Sequence, residues 1–215
     1  LTKLPENFSS MTALQTLMLD GNKLAALPDD FGNLKNLEDL SLYNNQITRI
    51  PPGFGSLSNL RRLHLSVNPI GTLPESFGNL NNLEFLTLIE CNLQRLPESF
   101  GQLSKLRWLE ANVNHLTGLP ESFGQLKMLR DLVLNMNELK GLPASFGQLS
   151  KLETFAAFAN QMTALPADFG NMTSLRELAL GQNRITHLPE SFSQLTHLES
   201  FEISKNQLSQ LPKGL

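Results

Sequence analysis

Apolar residues recur along this chain with a fixed period of 23 residues. Each period follows the pattern L-P-x-x-F-G-x-L-x-x-L-x-x-L-x-L-x-x-N-x-L-x-x, in which large apolar side chains alternate with variable positions. A fixed period of this length is typical of a solenoid, in which every repeat forms one coil. The full repeats, numbered here as coils 1 to 9, begin at Leu4, Leu27, Ile50, Leu73, Leu96, Leu119, Leu142, Leu165 and Leu188, and residues 1–3 and 211–215 read as partial repeats.

Two segments of each coil carry different patterns. Alternation of the type Leu17-Met18-Leu19 predicts a short strand, and strands one period apart must run parallel because the chain returns to the same side each time. The segment 97–103 opens with a proline and an acid, residues suited to the first turn of a helix. It predicts a short helix or 3₁₀ turn on the opposite side, in which Gly101 either permits close packing or ends the helix. Because turns are wider than strands, we expect a curved α/β solenoid with a parallel sheet on its concave face.

Three further positions of the repeat predict structural roles. A phenylalanine spine is expected to stack between coils, at Phe8, Phe31, Phe54, Phe77, Phe100, Phe123, Phe146, Phe169 and Phe192. A column of asparagines, in which Cys91 takes one place, is expected to hydrogen-bond the backbone of neighbouring coils, because buried amides need partners. A charged column predicts ion pairs between adjacent coils, with Arg107 and Arg130 as its one like-charge step. The column reads Glu38, Arg61, Glu84, Arg107, Arg130, Glu153, Arg176 and Glu199.

The core of each coil, as in Leu106-x-x-Leu109-x-Ala111-x-x-Asn114-x-Leu116, resembles the leucine-rich repeat signature. The resemblance covers essentially the whole chain, and the departures are a few Ala, Phe and Cys replacements within the pattern. The length of 23 residues and the L-P-x-x-F-G-x-L segment are most similar to intracellular repeats. Such repeats occur in Ras-group scaffolds, in Scribble-like and Erbin-like scaffolds and in some secreted bacterial effectors. The resemblance implies a protein-binding scaffold with a role in signalling.

Composition narrows the classes of partner and compartment. A net charge of −3 and a pI of about 5.8 argue against nucleic-acid binding, and no apolar run is long enough for a transmembrane span. A single cysteine cannot form an internal disulfide, which favours a reducing compartment, so we expect a cytoplasmic location. Two glycosylation sequons, Asn7-Phe8-Ser9 and Asn171-Met172-Thr173, point the other way, but such short patterns arise easily by chance.

Catalytic chemistry finds little support along the chain. The four histidines fall in different columns and coils, so we expect no metal cluster and no cofactor. His64, Ser66 and Asp39 lie on neighbouring coils, but no oxyanion hole or nucleophile elbow accompanies them. No histidine falls in the asparagine column of the same or an adjacent coil, so Cys91 lacks a base and is expected to be a buried structural thiol. The sequence therefore predicts that the chain is not an enzyme.

Four variable positions of the repeat, the two outward positions of the strand and the two residues after it, are expected to form the concave surface. We expect the fold to leave these identities free, so that their variety reflects a partner. In the middle coils they carry large apolar residues rimmed by polar ones, as protein interfaces do. The candidate binding residues are Tyr43, Arg62, His64, Phe85, Ile89, Glu90, Trp108, Glu110, Val113, Asp131, Val133, Met136 and Phe158. The alternative is that these side chains only pack on one another.

The sequence thus predicts one leucine-rich repeat domain spanning residues 1–215 that binds a protein or peptide on its concave face. Two other functions stay open: the substrate-recognition domain of a larger enzyme, such as a ubiquitin ligase, kinase or bacterial effector, and a fragment of an extracellular receptor. The chain supplies no polar caps, so we expect an excerpt of a longer array whose exposed ends can associate. Apolar residues expected to show a side to water there are Leu4, Phe8, Met11, Leu14, Leu17, Leu198, Phe201, Ile203 and Leu208.

Overall fold

The computed structural model describes residues 1–212, so the last three residues of the partial repeat 211–215 lie outside it. One parallel sheet of nine strands runs through it, with the strands paired in chain order. The strands are Thr16–Met18 (β1), Asp39–Ser41 (β2), Arg62–His64 (β3), Phe85–Thr87 (β4), Trp108–Glu110 (β5), Asp131–Val133 (β6), Thr154–Ala156 (β7), Glu177–Ala179 (β8) and Ser200–Glu202 (β9). Each residue pairs with the one 23 positions later, as Thr16 does with Asp39, so the repeat period sets the register.

Short 3₁₀ segments lie on the other side of each coil, which decides between the helix and the 3₁₀ turn. Each is closed by a bond from residue i+3 to residue i, as from the Leu103 N–H to the Phe100 carbonyl at 3.2 Å. The segments are Phe8–Ser10, Phe31–Asn33, Pro52–Ser56, Glu75–Asn79, Glu98–Gln102, Glu121–Gln125, Ala144–Gln148, Phe169–Asn171 and Glu190–Gln194.

The phenylalanine spine explains both the core and the curvature. From Phe31 to Phe192 successive rings stack with interplanar angles of 1–8° and centroids 5.9–6.3 Å apart. Paired strands lie only about 4.8 Å apart, so the 3₁₀ side is the longer one and the sheet lies on the inside of the curve. Phe8 is half-buried, unlike the fully buried rings of coils 2 to 8.

In coils 2 to 8 a glycine follows the spine phenylalanine, because neighbouring coils approach closely there. A Cβ atom on Gly101 would lie 2.2 Å from the carbonyl oxygen of Ser122, and a Cβ atom on Gly124 would lie 2.2 Å from the carbonyl oxygen of Ser145. No side chain fits in that space. Close packing, rather than helix termination, is therefore the reason for this glycine.

The asparagine column forms a buried hydrogen-bond ladder, as predicted. In coil 5 the Asn114 Oδ1 accepts from the N–H groups of Cys91 and Leu93, each at 3.0 Å. Its Nδ2 donates to the carbonyls of Leu88 at 2.8 Å and Ala111 at 3.1 Å. One side chain thus links the backbone of two adjacent coils where the chain leaves the sheet.

Cys91 interrupts this ladder and has a weaker set of contacts. Its thiol lies 3.4 Å from the Leu65 carbonyl. The Ile70 N–H corresponds to the Leu93 N–H that binds Asn114, but it donates to the Asn68 carbonyl at 2.8 Å and not to the side chain of residue 91. Burial raises the pKa of the Cys91 thiol to about 12, with a smaller contribution from the charge of Glu90. The thiol is therefore protonated at neutral pH and is not a nucleophile.

We expect Cys91 to resist thiol reagents in the folded chain. With its pKa at about 12 instead of 9.0, the thiolate fraction at pH 8 is roughly a thousandfold lower than in an unfolded chain. Absorbance with a disulfide reagent such as Ellman's should rise only when urea unfolds the coil. Stoichiometric reaction of the native chain within a minute would show that the thiol is accessible.

The charged column pairs across coils largely as predicted. Glutamates of the next coil bind Arg61, Arg130 and Arg176, at Glu84, Glu153 and Glu199 respectively. At the like-charge step, Arg107 reaches only Glu84, at 3.7 Å, on the side away from Arg130. These pairs are partly exposed, so each contributes under about 1 kcal/mol. The ion pairs therefore favour one alignment of adjacent coils and add little to the free energy of unfolding.

The exposure of the two ends agrees only in part with expectation. Met11 and Phe201 are exposed, and Leu4, Phe8 and Leu14 pack against the core with one side open. Leu17, in contrast, is buried. It is the inward residue of β1, and coil 2 together with its own coil covers it.

Candidate functional site

The outward residues of the nine strands, and the two residues after each, form one continuous concave surface. In β5 the central Leu109 is fully buried, whereas Trp108 and Glu110 on either side of it are half-buried. The same alternation holds in β4, where Leu86 is buried and Phe85 is exposed. Strand geometry therefore directs the first and third residue of each strand out of the core.

Two aromatic rings occupy paired positions at the centre of this surface. Phe85 and Trp108 are register partners in β4 and β5, as the repeat spacing predicts. Phe85 is 37% exposed. Because its neighbour Trp108 is half-buried against the same sheet, the pair forms an aromatic platform on an otherwise rigid surface.

The remaining apolar candidates surround this platform but differ in exposure. Tyr43, Val113 and Met136 are exposed, Met136 by 56%. Ile89, Val133 and Phe158 are half-buried. The apolar patch therefore runs over coils 4 to 7, while Tyr43 lies apart from it in coil 2.

The fourth variable position is constrained by the backbone, contrary to the expectation that its identity is free. Glu90, Val113 and Met136 all have φ between 54° and 56°, and Val67 has 58°. This left-handed conformation is unfavourable for most residues and is an outlier for a β-branched one. Val67 and Val113 therefore hold strained backbone. A sequence shows identities and not dihedral angles, so only the Gly and Asn at this position in coils 1 and 2 hint at the constraint.

The third variable position has a structural role that sequence reasoning also missed. Asn112 Oδ1 accepts from the N–H of Asn135 at 3.1 Å, and Asn135 Oδ1 from that of Phe158 at 2.8 Å. Ser66 Oγ accepts from the Ile89 N–H at 3.0 Å. Polar side chains here bind the backbone of the next coil. The signal was present in the run of Asp, Ser and Asn residues along this column.

The polar candidates fall into a paired and an unpaired group. Arg62 binds the Asp39 carboxylate, and that hydrogen bond and charge raise the pKa of Arg62. His64 Nδ1 lies 3.2 Å from Thr87 Oγ1. In the described part of the chain, no Lys, Arg or His nitrogen lies within 4.0 Å of the carboxylates of the other three candidates, Glu90, Glu110 and Asp131.

A shallow depression lies beside Tyr43, over coils 1 to 4. Its lining residues are Met18, Asp20, Ser41, Tyr43, His64 and Thr87. Met18 is 56% exposed and is not among the predicted site residues. The sequence feature that could have identified Met18 is an apolar side chain at an outward strand position, two coils from His64.

The geometry does not assemble a catalytic or metal centre at the residues considered above. Asp39 binds Arg62, His64 faces Thr87 and Ser66 accepts from the Ile89 backbone, so the three do not form a triad. Within residues 1–212, no group of three His, Cys, Asp or Glu side chains is placed to hold a metal ion. Over the same residues, the structure has no helix of the length and apolarity that crossing a membrane requires.

Solved structures with the same architecture include bacterial and plant proteins. A leucine-rich repeat protein of Leptospira interrogans is 31% identical over 100% of this chain and 60% of its own, with a TM-score of 0.86. The plant peptide hormone receptor RGFR1, in complex with RGF2, is 31% identical over 99% of this chain and 36% of its own, with a TM-score of 0.88. The Arabidopsis receptor kinase HAESA, in complex with the peptide hormone IDA and the co-receptor SERK1, is 31% identical over 97% of this chain and 36% of its own, with a TM-score of 0.83. The chain thus spans well under two thirds of each of these proteins.

Family comparison points the same way, although a search of curated protein sequences gives no match. The family described as leucine-rich repeat matches residues 12–70 and 159–208, which together make up half of the chain. A second family, described as leucine-rich repeat region, matches residues 100–183 and overlaps the later of these two segments. Together with the nine-stranded parallel sheet, these matches establish that the chain belongs to the leucine-rich repeat family.

Proposed function

We propose that this chain is one non-enzymatic interaction domain that binds a protein or peptide on its concave face. The observation that carries the proposal is the apolar patch over coils 4 to 7, centred on Phe85 and Trp108. Contiguous apolar patches on a protein surface mark interaction sites more often than isolated exposed residues do. Aromatic side chains at the centre and charged ones around it match the composition of protein interfaces.

The rigidity of the platform favours binding. Strand residues on both sides of Trp108 are held by ladder bonds, such as that from the Trp108 N–H to the Glu84 carbonyl at 3.1 Å. The backbone that carries the outward side chains is thus already ordered before a partner binds. A surface of this kind avoids much of the conformational entropy that binding otherwise costs.

The related structures support this proposal in a general way. RGFR1 is in complex with RGF2, and HAESA is in complex with IDA and SERK1. Each of these proteins is more than twice as long as the chain. We infer from them the class of function, a repeat array that binds polypeptide, and not the partner.

Replacing Trp108 with Ala is expected to weaken partner binding by about 5- to 30-fold or more, because truncating a central aromatic side chain typically costs about 1–2 kcal/mol or more. Stability should hardly change, since the side chain points away from the core. The measurement is calorimetric titration with a peptide selected from a displayed eight-residue library on the full chain, together with urea unfolding of both variants.

Gln125→Ala serves as the control for this experiment. Gln125 is exposed in the 3₁₀ segment Glu121–Gln125, on the opposite side of coil 6, and its replacement should leave affinity unchanged. If Trp108→Ala unfolds the chain while the affinity of the folded fraction is intact, the patch is packing rather than a binding site.

A second candidate is a fragment of a receptor ectodomain, which the similarity to RGFR1 and HAESA favours. Asn7 and Asn171, the two sequon asparagines, are both exposed, so a glycan has room at either. We nevertheless propose a reducing, cytoplasmic location, supported by the single, buried thiol of Cys91. Mass spectrometry of the protein isolated from its source separates the two: a glycan at either asparagine would establish the extracellular alternative.

A further inference from the structure

Charged side chains around the sheet differ in whether they have an ionic partner. The edge column pairs Arg61 with Glu84 and Arg130 with Glu153, and on the sheet itself Arg62 binds Asp39. Within residues 1–212, no Lys, Arg or His nitrogen lies within 4.0 Å of the carboxylates of Glu110 and Asp131. They stand beside the aromatic platform.

Sheet register places both acids next to Trp108, one across the sheet and one along the strand. Asp131 is its register partner in β6, so their Cα atoms are about 5 Å apart. Glu110 is two residues further along β5 and points to the same face. The third neighbour, Phe85, extends the aromatic surface on the side away from Asp131. All three of Trp108, Glu110 and Asp131 are half-buried, so water screens the carboxylates less than on an open surface.

The charge of the whole concave face has the same sign. The four variable columns hold seven acids against two bases, Arg62 and Lys205, which amounts to −5 with His64 neutral, while the complete chain carries −3. Negative charge is therefore concentrated on the face that carries the apolar patch. A partner segment that docks there gains from being basic.

An aromatic face flanked by unpaired carboxylates is suited to a cationic side chain. A guanidinium or ammonium group is attracted to the face of a tryptophan ring, and charge-assisted hydrogen bonds to carboxylates add to this attraction. Metal binding does not fit the arrangement, because the two acids lie on diagonal positions of the sheet and no third ligand joins them among residues 1–212.

We propose that the polypeptide bound on the concave face places an arginine or lysine side chain on Trp108, between the carboxylates of Glu110 and Asp131. This inference rests on the proposed function and adds the chemistry of the partner: a basic residue flanked by apolar residues that cover the rest of the patch. The occupant is a polypeptide segment and not a small amine, because the patch extends over four coils on both sides of Trp108.

The test uses the full chain and the displayed eight-residue peptide library as its probe. Selected peptides whose binding depends on Trp108 should share an arginine or lysine at one position. In a synthetic copy of such a peptide, citrulline or norleucine replaces the arginine or lysine, which removes the charge and keeps the length. We expect its affinity to fall by about tenfold or more. Trp108 is the single tryptophan, so its fluorescence reports binding at the site directly.

Variants of the chain then test whether the basic side chain of the peptide binds at Glu110 and Asp131. Glu110→Gln and Asp131→Asn should each weaken the basic peptide by roughly three- to tenfold and leave the neutral copy unaffected. Glu98→Gln, an exposed acid in the 3₁₀ segment of coil 5 on the opposite side, is the matched control and should change neither affinity. If one variant fails to fold, the comparison of basic and neutral peptides on the unaltered chain still decides the matter.

The outcomes separate this inference from the proposed function. If Trp108-dependent peptides carry no common basic residue, or if the neutral copy binds as tightly, the inference is overturned while binding on the concave face stands. If no selected peptide depends on Trp108, both are overturned.

Discussion

Replacing Phe100 with Ala is expected to lower the free energy of unfolding by about 3–5 kcal/mol. The Phe100 ring is fully buried, and its centroid lies 6.3 Å from that of Phe77 and 6.1 Å from that of Phe123. The loss combines the transfer of a large apolar side chain with the cavity left between two coils. Collapse of that cavity is limited, because Gly101 already places its coil against the Ser122 carbonyl.

Phe8→Ala is the matched control within the same column. Phe8 is half-buried and its ring does not stack within the spine, so its truncation should cost markedly less. Urea unfolding followed by circular dichroism measures both, with the midpoint and the m-value fitted separately because coils of a repeat protein can unfold in parts. Equal and small effects of the two substitutions would show that the rings do not form the core of the array.

Replacing Asn137 with Ala should cost roughly 3–5 kcal/mol, because it leaves several buried backbone groups without partners at about 1–3 kcal/mol each. Asn137 Oδ1 accepts from the Leu116 N–H at 3.0 Å. Its Nδ2 donates to the carbonyls of Ala111 at 2.9 Å and Leu134 at 3.1 Å. Water could replace these contacts only by entering the buried interface between coils 5 and 6.

Asn112→Ala is the control for Asn137→Ala, because it removes an asparagine that lies outside the buried ladder. The Asn112 side chain lies on the sheet surface, half-buried, and its Oδ1 accepts from one backbone N–H. We expect about 1 kcal/mol for this variant. Thermal and urea unfolding should therefore rank Asn137→Ala well below Asn112→Ala in stability, and similar losses would mean that the buried ladder contributes no more than a single surface bond.

The candidate surface could be predicted in position but not in detail. Residues such as Phe85 and Trp108 follow the strand period, so their column and register were readable from spacing alone. The bonds of the buried asparagine column were predicted, but the hydrogen bonds from Asn112 and Asn135 to the backbone of the next coil were not. The left-handed backbone at Val113 was equally hidden, because local dihedral angles depend on how the coil closes in three dimensions.

By itself the sequence determined the class of fold, the direction of the strands and the residues of each internal column. It could do so because a 23-residue period forces equivalent residues into equivalent places, and one face of every coil must be apolar. Tertiary structure alone decided that the turn is 3₁₀ and that Gly101 serves close packing. It also decided that Asp39 binds Arg62, whereas within residues 1–212 no cation lies within 4.0 Å of Glu110 or Asp131. These features depend on distances between atoms of different coils. The repeat spacing shows which residues are adjacent on neighbouring coils, but it does not show which of their side chains come into contact.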